Sequence, residues 1–156
     1  RTMSSDSVQY EGSCLCGQVR VRVEGSPIRA GYCHCKTCRA WHAAPINALA
    51  VWPSDAVHVT QGEELLANYQ SGISNRHWCK HCGSGLMNRL AIENDTLTVV
   101  YAVVLTDSGF VHEGEFHIHC DEAILDLHDG VPKFMEWRES ERMEEPAKTQ
   151  MRPSTA

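Results

Sequence analysis

Basic charge is scarce in this chain of 156 residues: 14 Lys and Arg stand against 20 Asp and Glu, a formal net charge of −6 with neutral His. A general nucleic-acid binder needs a basic footprint that displaces counterions from phosphates, so no nucleic-acid partner is expected. Long apolar runs are missing as well. None approaches the roughly 20 residues of a membrane-spanning helix, and no secretory signal pattern opens the sequence. No membrane partner is therefore expected, and a cytoplasmic location is. Helical periodicity is almost wholly lacking, and there is no internal repeat beyond a recurrence of cysteine pairs. Hydrophobic residues nonetheless make up 42% of the chain and charged ones 22%, ordinary values for a domain that buries a core.

What the chain has instead is cysteine, eight in all. An even count suits a disulfide-stapled secreted domain, but here the spacing is that of short clips. Cys14-Leu15-Cys16, Cys33-His34-Cys35-Lys36-Thr37-Cys38 and Cys79-Lys80-His81-Cys82 are C-x-C and C-x-x-C pairs. Such clips suit metal-bound thiolates in a reducing compartment, with disulfides inside each clip as the alternative.

Seven of the eight cysteines partition as four plus three. Residues i and i+2 of a strand lie about 6.6 Å apart at Cα, whereas two sulfurs on one tetrahedral zinc lie about 3.8 Å apart. The clips must therefore turn, and Gly17 after Cys16 and Gly83 after Cys82 permit it. Cys14, Cys16, Cys79 and Cys82 then make a closed, structural zinc site that ties together segments 62 residues apart. Cys33, Cys35 and Cys38 have no fourth cysteine within the next forty residues. Three protein ligands with one open position is the pattern of a catalytic zinc. That position would bind an arriving thiol as its thiolate or activate a water; three thiolate ligands weaken Lewis acidity, which favours the thiol. A Cys35–Cys38 disulfide is the bland alternative.

Near the trio, His34 points away from the metal if the backbone is extended, as a supporting donor or a satisfied core histidine. Lys36 and Arg39 are candidates to neutralise thiolates or meet a substrate carboxylate, or else plain surface charges. Cys120, in His117-Ile118-His119-Cys120, stands outside both sets: a buried core thiol, or a neighbour of the open site with His117 or His119.

Alternation of Val with polar residues over Gly17–Gly25 predicts a half-buried strand. Further strands are expected over residues 8–13, 28–32, 46–52, 56–60, 65–70, 74–78, 86–90, 96–104 and 116–120, the 96–104 stretch fully buried. Residues 36–44 predict one short helix, stopped near Pro45. Strands between Gly and Pro turns with barely one helix predict an all-β domain. One domain is expected over residues 10–139, after an N-terminal extension (1–9) whose start, ahead of Met3, reads as an expression remnant. Residues 140–156 read as a polar, solvated tail.

Gly12-Ser13-Cys14-Leu15-Cys16-Gly17, Cys33-His34-Cys35-Lys36-Thr37-Cys38-Arg39 and Cys79-Lys80-His81-Cys82-Gly83-Ser84 together resemble the glutathione-dependent formaldehyde-activating enzyme family, which includes the centromere protein V type. The resemblance runs from about Tyr10 to Trp137. It implies several coiled antiparallel sheets and two zinc ions per chain, a structural one on Cys14, Cys16, Cys79 and Cys82 and a catalytic one on Cys33, Cys35 and Cys38. It also implies a carbon–sulfur lyase chemistry run in reverse, in which glutathione adds to formaldehyde and S-hydroxymethylglutathione forms. The expected partners are glutathione and a small aldehyde or related electrophile. Two other functions compete: a non-catalytic zinc module that binds a protein or carries glutathione, and a thiol redox protein using Cys35 and Cys38, which lacks the βαβ setting of such motifs.

Overall fold

The computed structural model describes residues 8–92, 94, 96–138 and 142–143. In chain order they form β1 (Gln9–Ser13), β2 (Arg20–Glu24), β3 (Arg29–Cys33), helix α1 (Lys36–His42), β4 (Asn47–Pro53) and β5 (Val57–Gln61). β6 (Leu66–Ser71), β7 (Ser74–Cys79), β8 (Gly85–Leu90) and β9 (Leu97–Tyr101) follow. The short strands β10 (His117–Ile118), β11 (Lys133–Phe134) and β12 (Arg142–Met143) come last. Among the described residues the fold is all-β with one short helix, as the sequence predicts. None of the described helices is long and apolar enough to cross a membrane.

The chain packs as two compact units. The first is drawn from residues up to Ala30 and from Ala48–Glu113; the second from Gly31–Asn47 and from Gly114 onward.

In the first unit, β1, β2 and β5 form an antiparallel sheet in that order. β2 keeps the alternation read from its sequence. Val21 and Val23 are buried and face Val59 and Val57, while Arg20 is exposed. Strands in the order β4-β9-β8-β7-β6 form a second antiparallel array. Its β9 is buried on both faces from Thr98 to Tyr101. Trp52 anchors the core against Phe110, and its indole N–H donates to the Gly25 carbonyl at 3.0 Å, so the one polar atom of a buried ring is satisfied. At Gly12 the backbone runs against the Val104 carbonyl, where any Cβ would collide.

The second unit carries β10 between β3 and β11, with β12 outside β11. β10 runs parallel to both neighbours, which departs from the antiparallel sheets that the resemblance implies. Two-residue strands fed by long loops meet their partners in either direction, because no hairpin fixes the sense. Gly31 lies against the Phe116 ring, and the Tyr32 N–H donates to the Phe116 carbonyl at 2.9 Å.

Three predicted elements end early. The strand expected over 96–104 stops at Tyr101, and Ala102–Val104 wind into a 3-10 turn closed by the Leu105 N–H on the Ala102 carbonyl. There the turn overrides the β propensity of Val103 and Val104. The strand expected over 116–120 shrinks to His117–Ile118, because His119 adopts the left-handed region at φ 55° and Cys120–Glu122 form another 3-10 turn. Helix α1 stops at His42 rather than near Pro45, with Ala43 left-handed at φ 48°. Of the stretch read as a solvated tail, Arg142 and Met143 pair with β11, and the rest lies outside the described residues.

Candidate functional site

Two turns build the four-cysteine cluster. Gly17 at φ 77° and Gly83 at φ 79° follow their clips, and their N–H groups donate to the Cys14 and Cys79 carbonyls at 3.0 and 2.7 Å. Left-handed glycine thus folds each clip so that its two sulfurs converge. The Sγ atoms of Cys14, Cys16, Cys79 and Cys82 all lie within 4.8 Å of one another, with Cys14–Cys16 at 3.4 Å and Cys16–Cys79 at 3.9 Å. Those spacings match the roughly 3.8 Å edge of a tetrahedral zinc thiolate site.

Donors surround these sulfurs. The Val19 N–H donates to Cys14 Sγ at 3.3 Å, and Ser84 Oγ lies 3.2 Å from Cys82 Sγ while accepting from the Leu15 N–H. The Ser84 hydroxyl, joined by backbone N–H groups, pulls the Cys82 thiol down to about 5. Cys14 and Cys79 are buried and Cys16 is exposed.

The three-cysteine cluster stands where β3 runs into α1. Cys33 ends the strand, and Cys35 caps the helix, its sulfur accepting the Cys38 N–H at 3.2 Å. The Sγ atoms of Cys33, Cys35 and Cys38 lie within 4.8 Å of one another. Hydrogen bonds from Cys33 and Cys38 hold the Cys35 thiol far below its ordinary range, with a smaller electrostatic contribution from His119. The same contacts push Cys33 far up. Three sulfurs crowded within that distance are a set that a soft cation satisfies, and the donor chemistry fits zinc. Among the described residues no fourth Cys, His, Asp or Glu joins this set. Among the described residues, no disulfide joins any two of the eight cysteines.

Of the charged candidates, Arg39 turns back so that its Nε–H donates to the His34 carbonyl at 3.1 Å. Lys36 is exposed, and its backbone N–H donates to the Glu122 carboxylate. Cys120 is buried, its thiol pushed up by burial, and it belongs to neither cluster.

His34 does not sit with the sulfurs. It is buried, and its Nε2 lies 2.8 Å from His117 Nδ1. Burial above all pushes its pKa down to about 4. His117 is fully buried, stacks on Tyr32 at 4.6 Å between ring centroids, and reaches Asp129 Oδ2 through Nε2 at 2.8 Å. Sequence reasoning singled out His34 and His117 but not Asp129 or Lys133. Asp129 stands in a loop and Lys133 in a two-residue strand, neither with any periodicity, and only the folded chain brings them to His117.

The family model described as glutathione-dependent formaldehyde-activating enzyme matches residues 9–122. An uncharacterized lyase of Schizosaccharomyces pombe is 31% identical over 78 residues, covering 50% of this chain and 56% of that protein. A Halomonas elongata protein, provisionally named a glutathione-dependent formaldehyde-activating enzyme, is 34% identical over 83 residues, 49% of this chain and 53% of its own. The chain thus spans about half the length of the curated relatives it matches. A crystal structure of a Rhodobacter sphaeroides protein superposes with a TM-score of 0.51 at 25% identity, over 65% of this chain and 96% of the other. With the family model covering most of the chain, this protein belongs to the glutathione-dependent formaldehyde-activating enzyme family.

Proposed function

We propose that the chain is a zinc-dependent enzyme of the carbon–sulfur lyase type acting on glutathione adducts, such as S-hydroxymethylglutathione formed from glutathione and formaldehyde. Cys14, Cys16, Cys79 and Cys82 hold a structural zinc in this reading, and Cys33, Cys35 and Cys38 hold a catalytic one. The observation that carries it is the difference between the two clusters: four converging sulfurs in one, three in the other. Four protein ligands complete a tetrahedral zinc, whereas three leave a position for a substrate.

Bound zinc supplies the acidity that ionises an arriving thiol near neutral pH, where a free thiol of pKa about 8.5 stays mostly protonated. The protein's own part is geometric. Cys35 is fixed by the helix it caps and Cys33 by its strand, so the cluster is organised before substrate arrives. The reaction balances without a redox partner. A C–S bond forms between the glutathione sulfur and the carbonyl carbon, and the carbonyl oxygen takes up the proton that the thiol gave up. The reverse direction breaks the same bond. Thiols in these clusters must stay reduced, which fits a cytoplasmic setting.

Zinc-loaded protein mixed with glutathione and formaldehyde should form the adduct faster than the spontaneous reaction, and Cys35→Ser should remove the gain. Absence of acceleration with zinc bound at both clusters would leave a non-catalytic zinc module in place of the enzyme.

A further inference from the structure

Four side chains of the second unit form one continuous line of hydrogen bonds. Lys133 Nζ donates to Asp129 Oδ1 at 2.9 Å, Asp129 Oδ2 meets His117 Nε2 at 2.8 Å, and His117 Nδ1 meets His34 Nε2 at 2.8 Å. The line ends at His34 Nδ1, a buried atom with no hydrogen-bond partner among the described residues. Asp129 and Lys133 lie beyond the span that the family model matches.

Direction follows from the acceptor at one end. Ionised Asp129 can only accept, so His117 Nε2 carries a hydrogen. A second hydrogen on His117 would make it a fully buried cation facing a carboxylate that Lys133 already neutralises, which burial penalises. His117 Nδ1 is therefore a lone pair, and His34 Nε2 must donate to it. Position along the strand gives this consequence. Tyr32 stacks on the His117 ring and His34 hydrogen-bonds it, so residues 32 and 34 face His117. Alternation along β3 turns Cys33 to the other side, and His34 lies between Cys33 and the helix-capping Cys35 in the chain. The line grips the backbone between two of the three thiols from behind.

We propose that Asp129 and His117 are positioning residues that lock His34 as its Nε2–H tautomer and thereby set the geometry of Cys33 and Cys35. The inference rests on the metal-site reading of the trio for its effect on zinc, while the tautomer stands independently of it. Asp129→Asn is a sharp test, because the amide cannot turn over freely. Lys133 Nζ and the Val131 N–H, at 2.9 and 3.1 Å, both donate to Oδ1 and so hold the amide oxygen there. The amide NH2 then faces His117 Nε2 and donates to it. His117 must donate from Nδ1, and His34 must move its hydrogen to Nδ1: one isosteric change reverses the line.

Long-range 1H–15N correlation spectra of the zinc-loaded full chain read the tautomer of each histidine directly. The expected result is His34 with hydrogen on Nε2 in the wild type and on Nδ1 in Asp129→Asn. Competition with a chelator should show one of the two zinc ions released roughly tenfold more readily in the variant, on the scale of groups supporting metal ligands, and the other unchanged. Hydrogen on His34 Nδ1 in the wild type, or an unchanged tautomer in a folded Asp129→Asn, overturns the lock. A reversed tautomer with unaltered zinc release overturns its link to the trio. Should the variant not fold, the wild-type spectrum alone decides the lock. A wild-type chain binding a single zinc would instead count against the metal reading of the trio and leave the tautomer result standing.

Discussion

Cys16 and Cys79 stand 63 positions apart in the chain, and their sulfurs lie 3.9 Å apart. Contacts so distant in sequence carry a large loop-closure cost, and a bound metal offsets it only when every ligand is present. On the proposed reading of one zinc in each cluster, Cys79→Ser is therefore expected to lower the zinc content from two ions to one per chain and to cut the melting temperature sharply. Elemental analysis with a thermal melt in reducing buffer reads both. Full zinc content with an unchanged melt would remove the structural role from this cluster.

Two glycines stand where backbone and ring leave no room for a side chain. A Cβ on Gly12 would strike the Val104 carbonyl, and one on Gly31 would strike the Phe116 ring. A backbone carbonyl cannot rotate away, whereas a side-chain ring can swing aside, though here it must move well beyond a few tenths of an ångström. Overpacking costs about 1–3 kcal/mol in general; Gly12→Ala should lie at or above the top of that range and Gly31→Ala lower within it. Urea unfolding of both variants gives the order. Gly31→Ala should also weaken zinc retention at Cys33, since Phe116 leads into the strand paired with that cysteine.

Much of this was legible because it is local. The alternation of Val19, Val21 and Val23 specifies β2 wherever the strand lands, and C-x-C with C-x-x-C followed by Gly specifies a folded clip. β10 could not be read so well. His117 and Ile118 carry no pattern of their own, and their pairing with Tyr32 and Cys33 spans 85 residues. The line from Lys133 to His34 was hidden for the same reason, since hydrogen bonds between short segments far apart in the chain leave no periodic trace. Val103 and Val104 misled in the opposite direction, with strong β propensity in a segment that turns.

Acid should act on Asp129 in a defined window. Burial alone would raise its carboxyl, but hydrogen bonds from Lys133, His117 and the Val131 N–H outweigh it and hold the group below the ordinary carboxylate range. A folded value below the unfolded one, near 3.9, means that the ionised form adds stability above about pH 4. That contribution is lost as pH falls from there toward the folded value. Asp129→Asn should thus unfold with a flatter acid limb below about pH 4 and keep the wild-type pH dependence above about pH 5. Urea midpoints measured across that range provide the check. An acid limb as steep in the variant as in the wild type would mean that Asp129 is not held down.

The helix that carries Cys38 ends on a strained residue. Ala43 sits at φ 48° and ψ 42°, and its N–H closes on the Arg39 carbonyl. A left-handed cap of this kind favours glycine, because a Cβ there crowds the following carbonyl at a cost of about 1–2 kcal/mol. Ala43 is exposed, so removing its methyl group forfeits little packing. Glycine gives back part of the gain through the greater freedom of the unfolded chain, about 0.5–1 kcal/mol. Ala43→Gly should therefore stabilise the protein by about 0.5 kcal/mol, a rise of roughly 1–2 °C in melting temperature for a chain of this size. It should leave zinc content and activity unaltered. A drop in melting temperature would show that the methyl group packs against something and that the left-handed cap is not the dominant strain.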